Sequence, residues 1–204
     1  MDGTLWDSSD HVAKSWDQVV RKEKNGLREI TREDIQNVMG LTMTDIAKTL
    51  FPMLDEEEAI ALTDRCGEYE NAYLRMHGGM LYPRLEETLK ILAQKYPLYI
   101  VSNCQKGYIE AFLDYYGLWK YFQDTECFGN NNMGKAFNIG LVVKRNGIDH
   151  AVYVGDIQGD YRASKEAGVD FVHAAYGFGR IHEKVPAVAA LEELPKMLEA
   201  VFSE

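Results

Sequence analysis

Residues 151–160 read Ala-Val-Tyr-Val-Gly-Asp-Ile-Gln-Gly-Asp. The first four are apolar and partly β-branched, which is typical of a strand buried in a parallel sheet. Gly155 and Asp156 follow this run directly, and Asp160 comes four residues later. Because ligands of open α/β sheets bind beyond the carboxyl ends of the strands, this stretch predicts an acidic site at a sheet edge.

The chain around this stretch alternates between short apolar runs and amphipathic segments. Such alternation predicts βαβ units, a parallel sheet and right-handed crossovers. The predicted strands are 98–101, 126–128, 151–154 and 170–174, and the predicted helices are 85–96, 109–116, 136–146, 161–167 and 194–202.

The chain before Tyr82 has a different character and reads as helical. Thr31 followed by Asp34 resembles a capping box, and Asp55 followed by three glutamates reads as a helix N-cap. We expect no strand between Leu5 and Gly78. A helical block of roughly residues 10–81 therefore precedes the α/β block.

Composition narrows the classes of partner. The chain has 204 residues, 46% of them hydrophobic, and a net charge of -10. A nucleic-acid binder normally presents a basic face, so nucleic acid is not expected as a partner. No apolar run reaches the roughly 20 residues that a membrane helix needs, and the N-terminus shows no signal-peptide pattern. We therefore expect no membrane partner and a cytoplasmic location, with the three widely spaced cysteines reduced.

Polar residues with related chemistry follow the other apolar strands. Ser102 and Asn103 come after the strand at 98–101, and Lys135 opens the helix after 126–128. Acidic side chains gathered with them at one sheet edge would need a cation, and a set of oxygen ligands suits Mg²⁺. A hydroxyl and an ammonium group converging there would hold a phosphoryl group.

Residues 129–135 also match the Gly-x-x-x-x-Gly-Lys start of a phosphate-binding loop of nucleotide hydrolases. The next residue is Ala136 rather than the Ser or Thr that would bind Mg²⁺. We therefore do not expect a nucleotide hydrolase.

Several motifs occur in the order found in one superfamily. Residues 2–5, Asp-Gly-Thr-Leu, resemble the second half of its opening Asp-x-Asp-Gly-Thr motif. Ser102 resembles its second motif, Lys135 its third and residues 155–160 its fourth, while residues 176–179, Tyr-Gly-Phe-Gly, resemble a turn of one branch. Over nearly its whole length the chain resembles the haloacid dehalogenase superfamily, in its phosphoglycolate phosphatase-like branch.

The resemblance implies covalent phosphatase chemistry with Mg²⁺. The first Asp of the opening motif attacks phosphorus, and the second, which Asp2 matches, acts as acid and then as base. The implied catalytic residues are Asp2, Ser102 and Lys135. The implied metal ligands are Asp2, Asp156 and Asp160. The implied substrate-binding residues are Gly3, Thr4, Ser102, Asn103 and Lys135.

The opening motif departs from the family in one respect. The nucleophile should lie two positions before Asp2, and Met1 takes the place of the intervening residue. The apolar first core strand that leads to that nucleophile is therefore expected to be missing. We expect Met1 to be an internal methionine of a longer chain, and the chain as it stands to be inactive.

The resemblance also predicts how the chain is organised. Residues 1–10 and 82–204 should form a Rossmann-like core, and residues 11–81 an inserted α-helical cap. The expected substrate is a small phosphorylated metabolite, with 2-phosphoglycolate first among the candidates. A phosphosugar mutase, another phosphotransferase on the same scaffold, and a non-catalytic phosphate-binding protein stay open as alternatives. A monomer or a homodimer is expected.

Overall fold

A computed structural model describes residues 1–203. In these residues a helical segment is followed by an alternation of strands and helices. The elements are β1 (Trp6–Asp7), α1 (Ser9–Glu23), α2 (Arg32–Val38), α3 (Met43–Leu50), α4 (Glu56–His77), β2 (Met80–Leu81), α5 (Leu85–Ala93), β3 (Leu98–Ser102), α6 (Tyr108–Tyr116), β4 (Phe122–Cys127), α7 (Phe128–Asn131), α8 (Lys135–Arg145), β5 (Val152–Gly155), α9 (Gln158–Ala167), β6 (Asp170–Ala174), β7 (Ala187–Val188) and α10 (Leu194–Val201).

The helical segment, α1 to α4, begins its helices where the sequence predicts. Thr31 and Asp34 form a capping box, in which the Asp34 backbone N–H donates to Thr31 Oγ1 at 3.2 Å and the Thr31 N–H donates to Asp34 Oδ2 at 2.9 Å. The Asp55 carboxylate accepts the N–H of Glu58 at 2.8 Å. Each cap satisfies backbone donors that have no partner inside the helix, which fixes the start of the helix.

The expectation of no strand between Leu5 and Gly78 is wrong at its first residues. β1 pairs antiparallel with β2, with Trp6 opposite Leu81. Two-residue strands carry no periodic signal, and this pair is held by a long-range contact: Trp6 is fully buried and packs edge-on against Phe112. The β1–β2 pair brings together the two ends of the helical segment. The division into a core and a cap at residues 11–81 stays a prediction.

The strands that follow are parallel, as predicted. β3 pairs with β4, placing Ser102 opposite Cys127, and β5 pairs with β6, which pairs with β7. β4 begins four residues before the predicted start because it is a polar strand. Its acidic side chains Asp124 and Glu126 both accept hydrogen bonds from Arg145 of α8, at 2.8 Å each.

The sheet is divided between β3 and β5. Within residues 1–203 no strand lies between them and their backbones do not pair. A cavity of about 280 Å³ occupies the gap, and it is lined mainly by apolar side chains from both strands and the helices beside them, with Met1 and Leu5 also in its wall. One hydrogen bond, from Tyr153 Oη to Val101 O at 2.9 Å, spans the gap. The α/β fold with parallel strands is thus confirmed.

None of the helices in the described part of the chain is long and apolar enough to cross a membrane.

Candidate active site

Residues 1–6 form a tight loop beside the gap in the divided sheet. The Gly3 N–H donates to Trp6 O at 3.0 Å, and the Leu5 N–H donates to Met1 O at 2.8 Å. Tyr176 Oη donates to Thr4 O at 2.8 Å, which ties the loop to the turn after β6. The loop therefore has a defined shape and holds Asp2 in one place.

The Asp2 carboxylate is half-buried and accepts two hydroxyl hydrogen bonds on one oxygen. Ser8 Oγ donates to Asp2 Oδ1 at 2.6 Å, and Tyr108 Oη donates to the same atom at 2.7 Å. Burial raises the pKa of Asp2, while the nearby amino terminus and these two hydrogen bonds act in the opposite direction. A carboxyl with a raised pKa that keeps one oxygen free of these bonds is suited to passing a proton.

Asp156 and Asp160 lie at the carboxyl end of β5. The Asp156 N–H donates to Asp160 Oδ2 at 3.0 Å, and the Ile157 N–H donates to the same oxygen at 3.3 Å. This carboxylate therefore caps α9, which explains why the helix begins three residues before the predicted start. Burial and the charge of Asp160 raise the pKa of Asp156 to about 6, an unfavourable arrangement that a bound cation would relieve.

Lys135 forms a buried ion pair with Asp160. The ammonium group contacts Asp160 Oδ1, and the two side chains are only 10% and 5% exposed. Burial alone would raise the pKa of Asp160, but the charge and hydrogen bond of Lys135 outweigh it and lower the pKa. Burial alone would lower the pKa of Lys135, and Asp160 raises it instead. Both groups are therefore charged at neutral pH.

Gly3 lies directly against the Asp156 side chain. A Cβ atom at Gly3 would overlap both carboxylate oxygens of Asp156, and the φ angle of Gly3 is +71°. Gly177 covers the other side of this carboxylate, and the N–H of Phe178 donates to Asp156 Oδ2 at 2.9 Å. Thr4 Oγ1 donates weakly to Asp156 Oδ1 at 3.4 Å. The Gly3-Thr4 loop and the glycine turn thus hold Asp156 between them.

A second, smaller cavity of about 60 Å³ lies where the sheet edge meets the helical segment. Asp2, Ser102 and Asn103 contribute to its wall, together with residues of α1 to α4. Asn103 also connects the two parts, because its Nδ2 donates to Gly40 O at 2.9 Å. We refer to this space as the site cavity.

The structure places the predicted residues in two adjoining groups. Asp2, Ser102 and Asn103 line the site cavity. Asp156, Asp160 and Lys135 form the ion-pair cluster beside it. Gly3 and Thr4 join the two groups, because they follow Asp2 and contact Asp156.

The donor chemistry of the acidic group fits Mg²⁺, since it offers only oxygen atoms. Within residues 1–203, however, no three acidic, histidine or cysteine side chains gather as a metal cluster. Asp160 is occupied by Lys135 and by backbone N–H groups. Asp156 and the backbone carbonyl of Asp2 are thus the groups best suited to hold a metal ion.

Several polar residues of the site were missed by sequence reasoning. Trp16 reads as a packing residue in the sequence, but its Nε1 donates to a carboxylate oxygen of the buried Glu70 on α4. Ser8 and Tyr108 hold Asp2, although nothing in their spacing distinguishes them from ordinary polar residues. The Trp16–Glu70 and Tyr108–Asp2 contacts join positions 54 and 106 residues apart, so no local pattern signals them.

Comparisons with known proteins place the chain in a family. A sequence model of the haloacid dehalogenase-like hydrolase family matches residues 1–174. A phosphoglycolate phosphatase from Pseudomonas fluorescens is 30% identical over 207 residues, covering 92% of this chain and 73% of the relative. Another from Pseudomonas savastanoi is 30% identical over 142 residues, covering 64% of this chain and 51% of the relative.

A solved haloacid dehalogenase-like hydrolase from Bacteroides fragilis shares the fold, with a TM-score of 0.81, 21% identity, and coverage of 95% of this chain and 96% of the other. The family match, which spans most of the chain, and the 30% identity to the Pseudomonas fluorescens protein establish the membership. The chain belongs to the haloacid dehalogenase-like hydrolases.

Proposed function

We propose that this chain supplies the proton-transfer, phosphoryl-binding and metal-binding groups of a Mg²⁺-dependent phosphatase for small phosphate monoesters. The observation that carries the proposal is the placement of Asp2. Its half-buried side chain lines the site cavity together with Ser102, while the next two residues pack on Asp156. One short loop thereby joins a proton donor to an acidic group suited to a metal.

Each residue has a role that its contacts support. Asp2 would protonate the leaving oxygen and then take a proton from water. Ser102 and Lys135 would hold phosphoryl oxygens, with Lys135 oriented by Asp160. The Asp2 carbonyl and Asp156 would hold Mg²⁺, which when bound neutralises phosphoryl charge.

We further propose that one parallel strand completes the sheet between β3 and β5 and ends in an aspartate before Met1. The gap has an apolar wall on both sides, and the backbones that face it are unpaired. Met1 and Leu5 line its end, so a strand in the gap would lead directly into the Asp2 loop. Its terminal aspartate would be the nucleophile that forms the aspartyl-phosphate.

The names of the two Pseudomonas relatives make 2-phosphoglycolate the first substrate to test. A phosphosugar mutase or another phosphotransferase is the second possibility on this scaffold, and a non-catalytic phosphate-binding protein is the third. A cytoplasmic location and a monomeric or homodimeric state are predictions from the sequence.

The test compares three chains. The first is the 204-residue chain, the second carries an added apolar strand that ends in Asp-Met1, and the third carries the same strand ending in Asn-Met1. Phosphate release from a panel of monoesters is measured with and without Mg²⁺. Only the Asp-ending chain should turn over, and only with Mg²⁺. Equal turnover by the Asp-ending and Asn-ending chains would show that the strand does not carry the nucleophile.

A further inference from the structure

The wall that the helical segment contributes to the site cavity is mostly apolar. Its apolar side chains belong to Val12, Trp16, Ile35, Val38, Met39, Leu41, Met43 and Ile46. The cavity volume of about 60 Å³ has room for roughly four water-sized groups. A leaving group held here would therefore be small.

Two polar side chains interrupt this apolar wall, Glu70 of α4 and Gln105 after β3. Glu70 is 4% exposed and accepts the indole N–H of Trp16. Gln105 Nε2 donates at 3.1 Å to Oδ1 of Asn71, the residue that follows Glu70 in the chain. Both side chains are therefore held in position before a ligand enters.

The electrostatic environment at Glu70 disfavours negative charge. Burial raises the pKa of Glu70 to about 8, although the hydrogen bonds from Trp16 and Gln105 act in the opposite direction. A carboxylate on a bound leaving group would meet the same environment.

The described lining of the site cavity supplies no cationic side chain to offset such a carboxylate. Of the described residues that line the site cavity, none is Lys, Arg or His. An unpaired carboxylate buried here would lose its hydration without gaining an ionic partner. A hydroxyl group, in contrast, can donate to the amide oxygen of Gln105 or to a carboxyl oxygen of Glu70, so it can be satisfied without net charge.

We propose that Glu70 and Gln105 select the leaving group of the substrate, favouring monoesters of small uncharged hydroxylated alcohols over monoesters whose leaving group carries a carboxylate. Glycerol 3-phosphate represents the favoured class and 2-phosphoglycolate the disfavoured one. The inference rests on the proposed phosphatase function and narrows its substrate class.

Tryptophan fluorescence of the 204-residue chain measures this preference without turnover. Trp16 lies in the wall of the cavity, whereas Trp119 is 45% exposed and is removed as background by Trp119→Phe. The fully buried Trp6 does not line the cavity, and its contribution is measured in a chain that also carries Trp16→Phe. Inorganic phosphate, glycerol 3-phosphate and 2-phosphoglycolate are titrated with Mg²⁺ present. Glycerol 3-phosphate should bind at least about tenfold more tightly than 2-phosphoglycolate, a difference of about 1.4 kcal/mol.

A charge introduced at the selecting position should reverse the preference. Gln105→Lys gives the cavity a cation and should make 2-phosphoglycolate the tighter ligand. Gln94→Lys adds the same charge at an exposed position just after α5 and should leave the ratio unchanged. Circular dichroism checks that each variant folds. If Gln105→Lys does not fold, the ratio in the parent chain decides alone.

The possible outcomes separate this inference from the proposed function. If inorganic phosphate binds but the two esters bind equally, or 2-phosphoglycolate binds more tightly than glycerol 3-phosphate, the inference is overturned. The phosphatase proposal would then still stand. An absence of binding by phosphate and by both esters would count against both.

Discussion

The buried ion pair between Lys135 and Asp160 gives the most direct test of the site's energetics. Lys135→Met removes the charge while keeping a side chain of similar length. Asp160 would then stay buried, at 5% side-chain exposure, without its cation. Breaking a buried pair in this way costs about 3–5 kcal/mol, because the remaining charge is uncompensated.

An exposed pair in the same chain provides the matched control. Lys120 Nζ lies 2.9 Å from Glu86 Oε1, and the two side chains are 60% and 56% exposed. Exposed pairs contribute about 0–1 kcal/mol, so Lys120→Met should have little effect. The contrast between the two variants isolates the effect of burial.

Urea unfolding followed by circular dichroism at pH 7 measures both variants. With a slope of about 2 kcal/mol per molar urea, Lys135→Met should lower the midpoint by roughly 1.5–2.5 M. The pKa of Asp160 is lowered in the folded chain, so the pair stabilises the fold above the unfolded pKa of about 4 and loses this contribution below it. The difference between Lys135→Met and the parent should therefore shrink in acid.

The double variant Lys135→Met with Asp160→Asn should recover part of the lost stability, since no charge is then left buried. A loss from Lys135→Met no greater than that from Lys120→Met would refute the reasoning, because it would show that Asp160 is not held as a buried charge.

Three further predictions concern neighbouring groups. The pKa of Glu70 is raised to about 8 in the folded chain, so folding takes up a proton between about pH 4.5 and 8. The free energy of unfolding therefore falls as pH rises through that window. Glu70→Gln should remove a few kcal/mol of this pH dependence, measured by urea unfolding at pH 5 and pH 8. Mg²⁺ at a hundred times its Kd should stabilise the parent by about 2.7 kcal/mol in thermal unfolding, and Asp156→Asn should abolish the effect. Gly26→Ala, at φ +70° in open space, should lower the free energy of unfolding by about 1 kcal/mol. Gly3→Ala, at φ +71° against the Asp156 carboxylate, should lower it by about 1–3 kcal/mol more. Equal losses in urea unfolding would contradict the close packing of Gly3 on Asp156.

The part of the site that lies at strand ends could be predicted from sequence for a physical reason. Short apolar runs fix where buried strands end, and all parallel strands end at the same edge. Ser102 and Asp156 were therefore placed correctly at the ends of β3 and β5. The strand at 170–174 was predicted with its observed bounds for the same reason.

The residues that sequence reasoning missed depend on contacts between distant parts of the chain. Tyr108 donates to Asp2 across 106 positions, and Trp16 donates to Glu70 across 54. The two-residue strands β1 and β2 likewise exist only because their partners lie beside them. A carboxyl such as Glu70 looks like any helical surface residue until the helices pack and bury it.

The divided sheet connects the stability of this fold to its chemistry. The space of about 280 Å³ between β3 and β5 has apolar walls that are partly open to solvent, and leaving such walls uncovered forgoes about 25 cal/mol of stabilisation per Å² of apolar surface. A strand that fills the gap would recover much of this and pair two unpaired backbone edges. The Asp-ending and Asn-ending extensions should therefore raise the urea midpoint of the chain equally, whereas only the Asp-ending one should confer turnover. If neither extension raises the urea midpoint, the gap does not receive a strand. The nucleophile would then have to be positioned beside Asp2 by a different segment.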